Sequence, residues 1–106
     1  MDRTKRGAIA VIFTSHRNGA DAEGYAAAAT AMAAEAARQP GYLGADSARE
    51  ADGFGITVSY WADEASARAW HDHLGHTAIR ERGRRDWYDA YEVVVATVAR
   101  DYRWER

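Results

Sequence analysis

An α+β domain of the ferredoxin-like type, with βαββαβ order, a split second helix and a four-stranded antiparallel sheet, is what this sequence predicts. Three observations carry that prediction. Short β-rich segments and longer helical stretches alternate in the order β-α-β-β-α(α)-β, the split βαβ pattern. The length, 106 residues, has room for one domain. The first strand is apolar on both sides, so both faces of the sheet must be covered. Residues 1–106 read as a single domain with a core of about 8–100 and short charged tails.

The first segment, Ile9 to Ser15, is apolar, β-branched and too short for a helix. Ile9, Val11 and Phe13 point one way; Ala10, Ile12 and Thr14 point the other. A polar loop, His16 to Ala20, follows. Asp21 caps an alanine-rich helix that runs to about Arg38, with Glu23 in its favourable first turn. Tyr25, Ala29, Met32 and Ala36 form its inner stripe. Gln39-Pro40-Gly41 stops it. Tyr42 to Arg49 is a weaker strand, Ala51-Asp52-Gly53 a hairpin turn, and Phe54 to Trp61 a strong strand. Phe54, Ile56, Val58 and Tyr60 share one of its faces; Gly55, Thr57, Ser59 and Trp61 share the other.

A second helix opens at Ala62-Asp63-Glu64, with Ala62, Ala65, Ala69, Trp70, His73 and Leu74 close together on its wheel. Gly75 interrupts it, and a third helical piece spans about His76 to Asp89. His76, Ile79, Gly83 and Trp87 form the inner stripe of that piece. Tyr91 to Ala99 is the last strand. Helices cover only one face of such a sheet, and an apolar sheet face is too large a patch for a monomer. Burying roughly 800 Å² per partner is the usual remedy, so the expected assembly is a homodimeric α+β barrel.

Composition excludes several classes. The net charge of −2 gives no field to attract nucleic acid or an anionic membrane. With no cysteine there is no disulfide, thiolate nucleophile or Cys-ligated zinc. No apolar run is long enough to span a bilayer, and the charged start at Met1 lacks a signal-peptide core. The expected location is cytoplasmic, and the expected partners are a second copy and a small aromatic molecule.

The succession IAVIFTSHR, QPGYLG, GFGITVSYWADEASARAWHDHLGH and GRRDWYDAYEVVVATV resembles the antibiotic biosynthesis monooxygenase domain family of dimeric α+β barrels. The resemblance covers about residues 8 to 100. Its most specific part is the pair Trp61 and Trp70, nine apart and followed by a histidine. It implies one of several activities. Some members oxidise polycyclic aromatic polyketides without a cofactor, some bind and degrade heme, and some are quinol oxygenases. Heme-degrading members resemble this chain at Trp70, but they pair it with an asparagine on the first strand and an iron-ligating histidine on the following helix. Here the first strand offers Thr14, Ser15 and His16, and the ligand position falls near Arg80, with His76 one turn earlier. The polyketide oxidases use asparagine and tryptophan, and the one asparagine here is Asn18, in the first loop.

Three histidines, His76, His73 and His16, are placed to converge between sheet and helices, where a group titrating near neutrality takes a proton from a phenol. Each could equally hydrogen-bond a neighbour or solvent. His71-Asp72-His73-x-x-His76 has metal-ligand composition but the wrong spacing, since His71 and His73 face apart on a helix, so no metal is expected. Trp61, Trp70 and Trp87, with Tyr60, Tyr88 and Tyr91, supply core and dimer packing or a wall that stacks on a flat ligand. The arginine run from Arg80 to Arg85 reads as a solvated face beside Glu81 and Asp86, with Arg80 the one to reach inward.

The reading this favours is a cofactor-independent monooxygenase acting on a phenolic or hydroquinone-type aromatic. His76, then His73 and His16, are candidate bases. Trp70, Trp61, Arg80, Tyr88 and Thr14 are candidate substrate contacts. The alternatives are a dimer that binds heme or another planar ligand with little turnover, and a dimer whose pocket is filled by its own side chains.

Overall fold

A computed structural model describes residues 5–76 and 82–106, and within these the side chains of 74–76 and 83 are not described. The elements are β1 (Ile9–Arg17), α1 (Ala22–Ala37), β2 (Tyr42–Arg49), β3 (Phe54–Trp61), α2 (Glu64–His76), a wide π-helical turn (Gly83–Trp87) and β4 (Tyr88–Thr97). All strands pair antiparallel in the order β2-β3-β1-β4. This is the predicted α+β, ferredoxin-like arrangement. Among the described residues no helix is long and apolar enough to cross a membrane.

The boundaries differ from expectation mainly around β4. The strand starts at Tyr88 rather than Tyr91, and β1 runs on to Arg17 rather than ending at Ser15. These are one event. Arg17 pairs with Tyr88 across a register shift after His16, so both backbones find ladder partners. Gly75 lies inside α2, consistent with the roughly 1 kcal/mol that a single glycine costs a helix. Helical geometry before β4 ends at Trp87 rather than Asp89, and the rest of the expected third helix, residues 77–81, lies outside the described residues.

Asp21 starts α1 from a left-handed conformation (φ 49°) that aspartate tolerates better than most residues, and its Oδ1 accepts from the Gly24 N–H at 3.1 Å. The inner stripe of α1 is as predicted: Ala36 is buried and Tyr25, Ala29 and Met32 are half-buried. Between α1 and β2 the chain turns at Gly41 (φ 84°), where a Cβ would lie 2.1 Å from Ser66 Oγ. Only glycine lets this turn approach α2 so closely. The inner face of α2 is Ser66, Ala67, Trp70 and His73; Ala62, Ala65 and Ala69, expected inside, are exposed.

Cross-strand partners share a face, so the register sorts the sheet. Ile9, Val11, Phe13, Ser15 and Arg17 of β1 lie with Trp61, Ser59, Thr57 and Gly55 of β3 and with Val95, Val93 and Tyr91 of β4. This is the helix side, because Ile9, Trp61, Ala36, Ala67 and Trp70 form the core with Val11, Met32 and Tyr42 packed against it. Ala10, Ile12, Thr14 and His16 lie on the other side with Phe54, Ile56, Val58, Tyr60 and Val94. None of the described helices covers that side.

Candidate functional site

The helix side of the sheet carries two polar-aromatic clusters with an apolar stretch between them. The first stands over the start of β1. Trp70 stacks on Trp61 (centroids 5.8 Å apart, 23° between planes) and on His73 (5.4 Å, 17°), and Tyr42 meets Trp61 edge-on at 5.6 Å. Trp61 is fully buried, and its Nε1–H donates to Ser59 Oγ at 3.0 Å. His73 Nε2 lies 3.5 Å from Glu35 Oε1 on α1. Ala65, Ala69, Gln39, Pro40 and Ser66 line a shallow depression on the outer flank of Trp70. The small neighbours of Trp70 therefore open space towards solvent rather than towards the sheet.

The second cluster stands at the far end of β1. Phe13, Tyr88 and Tyr91 pack against one another at 5.5–6.0 Å. The Tyr25 ring meets Trp87 and Tyr88 edge-on at 5.7 and 6.0 Å. Burial raises the Tyr88 hydroxyl pKa first and its hydrogen bond with Tyr25 second, against the weaker opposing pull of Arg49 and Arg17. Tyr88 is thus a neutral donor across the physiological range. Arg49 reaches inward from the edge strand β2, donating to Ser15 Oγ at 3.1 Å and to the Tyr25 hydroxyl at 2.9 Å. Arg17 lays its guanidinium 3.9 Å from the Tyr25 ring centroid, a cation–π contact. Arg84 Nε donates to the Tyr91 hydroxyl at 2.5 Å. Asp21 ties this end together, accepting from Trp87 Nε1 and pairing with Arg82, each at 3.4 Å.

Between the clusters lies an open floor. Val93 and Val95 pair with Phe13 and Val11 and so face the helices, yet they remain 45% and 52% exposed. The described helices leave this floor open, and the side chains that rim it are aromatic. Apolar ground with a few convergent polar groups is the usual form of a small-molecule site.

The candidates from sequence fall out as follows. Trp70, His73 and Tyr88 lie on the helix side. Trp61 also does, but it is fully buried and has no surface to offer a ligand, so it acts as core. Thr14 and His16 correct an expectation: both lie on the opposite face, His16 with its ring 5.0 Å from Phe54, so His16 does not converge with His73. Strand alternation is the reason, since both residues are even-numbered in a strand whose odd residues face the helices. The side chain of His76, and Arg80 entirely, lie outside the described residues. The arginine run behaves as a solvated face where it is described: Arg82 and Arg85 both pair with Asp86. Asn18 fastens its own loop, bonding the Ala20 N–H and the Asp86 carbonyl.

Sequence reasoning missed Ser15, Arg17, Tyr25 and Arg49 as a unit. The signal was present in the alternation, because Ser15 and Arg17 share the face of Phe13. What the sequence lacked was the β2–β3 register that places Arg49 opposite Gly55.

A heme needs an axial ligand facing an apolar slot. Among the described side chains His73 is stacked on Trp70 and turned to Glu35, His16 is on the other face, and His71 is exposed. None of these presents a nitrogen to the floor, so they do not fit heme.

The model of the antibiotic biosynthesis monooxygenase family matches residues 8–82. The uncharacterized protein YqjZ of Bacillus subtilis (strain 168) is 50% identical over 91 residues, spanning 86% of this chain and 79% of that one. Among solved structures, SnoaB of Streptomyces nogalater, a cofactor-independent oxygenase, superposes with TM-score 0.73 at 22% identity, covering 87% of this chain and 93% of its own. A conserved protein of Methanosarcina mazei Go1 gives TM-score 0.77 at 12% identity over 89% and 95% of the two chains. These structures share the fold.

Proposed function

From the premise that the chain belongs to the antibiotic biosynthesis monooxygenase family, we propose that it is a cofactor-independent monooxygenase of phenolic or hydroquinone-type aromatics, including polyketide-like anthrones. The observation that carries this is the open apolar floor of Val11, Phe13, Val93 and Val95 between two aromatic clusters. A flat aromatic ring fits such a floor, and the polar groups lie at its ends. The oxygenase activity of SnoaB, on the same fold, supports the reading.

The chemistry needs a substrate that supplies its own electrons. An anthrone loses a proton to a base, and its carbanion–phenolate gives electrons to O2. One oxygen atom enters the ring as the new carbonyl; the other leaves as water with the two methylene hydrogens. His76 is the first candidate for the base and His73 the second. Tyr88, held neutral by burial, donates to the oxyanion.

We also propose a homodimer through the helix-free face, where Ile56 and Val94 are 39% and 44% exposed beside Ile12, Val58 and Tyr60. Ile56→Asp then yields monomers in sedimentation velocity. Activity is tested by oxygen consumption with a panel of anthrones and hydroquinones, using His76→Ala and Tyr88→Phe as controls. Uptake that falls by about tenfold or more in the controls is expected. Absence of uptake with every substrate refutes the oxygenase reading.

A further inference from the structure

We infer that Arg49 and Arg17, seated on the helix side of the sheet beside Ser15 and Tyr25, bind the carboxylate of an acidic aromatic substrate. The inference rests on the oxygenase reading and narrows its substrate class.

The seat is built across all four strands. Arg49, Gly55, Ser15 and Tyr91 stand in one cross-strand row from β2 to β4. A Cβ on Gly55 would lie 2.5 Å from Arg49 Cζ and 2.7 and 2.9 Å from its two terminal nitrogens. The missing side chain is therefore what lets the guanidinium cross β3 and reach Ser15, which is buried on β1. Arg17 brings a second guanidinium to the same Tyr25 ring, Arg17 and Arg49 lying 3.9 and 5.2 Å from its centroid.

Two guanidiniums held at one ring repel unless an anion lies near them. Among the described residues no ion pair is found for Arg17 or Arg49, nor for the exposed Arg84, Arg100, Arg103 and Arg106, while Arg38, Arg68, Arg82 and Arg85 each pair with a carboxylate; Arg17 differs from the exposed four in being half-buried. Arg17 Nε is buried with no hydrogen-bond partner, a state that is unfavourable unless something accepts from it. Arg49 donates to the Gly53 carbonyl and to the hydroxyls of Ser15 and Tyr25, and Arg17 donates to the Ala20 carbonyl; all of these are neutral groups, which leave the positive charge uncancelled. A carboxylate suits this set because its two coplanar oxygens match the guanidinium fork. Phe13 packs on Tyr88 and Tyr91 and pairs with Val93, so the seat runs into the apolar floor. A ring bearing the carboxylate would lie there.

The test is anaerobic binding, which needs no turnover, with hydroxynaphthoate and naphthol as probes that differ in the carboxylate. Wild-type protein should bind hydroxynaphthoate at least about tenfold more tightly than naphthol. Raising salt should weaken the first and leave the second unchanged. Arg49→Gln and Arg17→Gln, each checked for folding by near-UV circular dichroism, should each lose about tenfold for hydroxynaphthoate alone; the salt response of wild-type protein gives the same answer if a variant fails to fold. Equal affinity for the two probes overturns the carboxylate seat and leaves the oxygenase reading standing. Failure of both probes to bind overturns both. Displacement of hydroxynaphthoate by equimolar inorganic phosphate also overturns the assignment, since the seat would then select a tetrahedral oxyanion.

Discussion

Gly55→Ala should destabilise the protein only because Arg49 lies above it. The added methyl would sit 2.5 Å from Arg49 Cζ, so the guanidinium must lift away. That movement is cheap in itself, because the group is the end of a flexible side chain. Its cost lies in what is left behind. Ser15 Oγ, 1% exposed, loses its donor at 3.1 Å, and the Tyr25 hydroxyl loses one at 2.9 Å. Stranding a buried hydroxyl costs about 1–3 kcal/mol, while alanine returns roughly 0.5–1 kcal/mol over glycine in a strand. The net loss is up to about 2.5 kcal/mol. Urea unfolding of wild type, Gly55→Ala, Arg49→Ala and the double variant forms a thermodynamic cycle. In the Arg49→Ala background the Gly55→Ala change should become neutral or stabilising. If the two changes add independently, the seat of Arg49 over Gly55 plays no part in stability and the argument from the cross-strand row is refuted.

Gly41→Ala should cost more than about 1 kcal/mol, since it combines a φ of 84° with a Cβ 2.1 Å from Ser66 Oγ; a melting point equal to wild type would refute the tight turn. Trp70→Ala should cost about 3–5 kcal/mol by opening a cavity between Trp61 and His73, read from the denaturation midpoint, and a loss below about 1 kcal/mol would contradict its burial. Tyr88 sets an alkaline limit. Its folded pKa is raised, so its contribution is complete below the ordinary phenol value of about 10 and is lost as pH rises towards the folded value. Unfolding midpoints measured between about pH 9 and 11 should fall for wild type and fall less steeply for Tyr88→Phe.

Local chemistry made most of the fold legible. β2 and β3 run Tyr42–Arg49 and Phe54–Trp61 as expected, because a Pro-Gly stop and an Asp-Gly turn bracket them. The α1 stripe follows from 3.6-residue periodicity and the Asp21 cap. Two errors have physical causes. The start of β4 was hidden because Arg84 to Trp87 reads as helix, while Tyr88 is drawn into the sheet by pairing with an extended β1. The inner face of α2 was misjudged because alanine counts as apolar on a helical wheel yet gains little from burial, so Ser66 and Ala67 turned inward and Ala65 and Ala69 outward.

The site was less legible because its members converge through register rather than through spacing. Trp70 and His73 lie one turn apart and were found by periodicity. Ser15 and Arg49 are 34 residues apart and meet only because β2 pairs with β3 so as to set Arg49 opposite Gly55, and β3 with β1 so as to set Gly55 opposite Ser15. A shift of one residue in either ladder would turn Arg49 to the helix-free face, where His16 and Thr14 lie. The same alternation that turns His16 away from the helix side therefore turns Arg49 towards it. Alternation is readable from sequence once one strand is anchored by a buried residue such as Ile9, but the partner register is not. Charged residues on odd positions of β1 and on its neighbours thus reach the helix side by a route that spacing along the chain does not reveal.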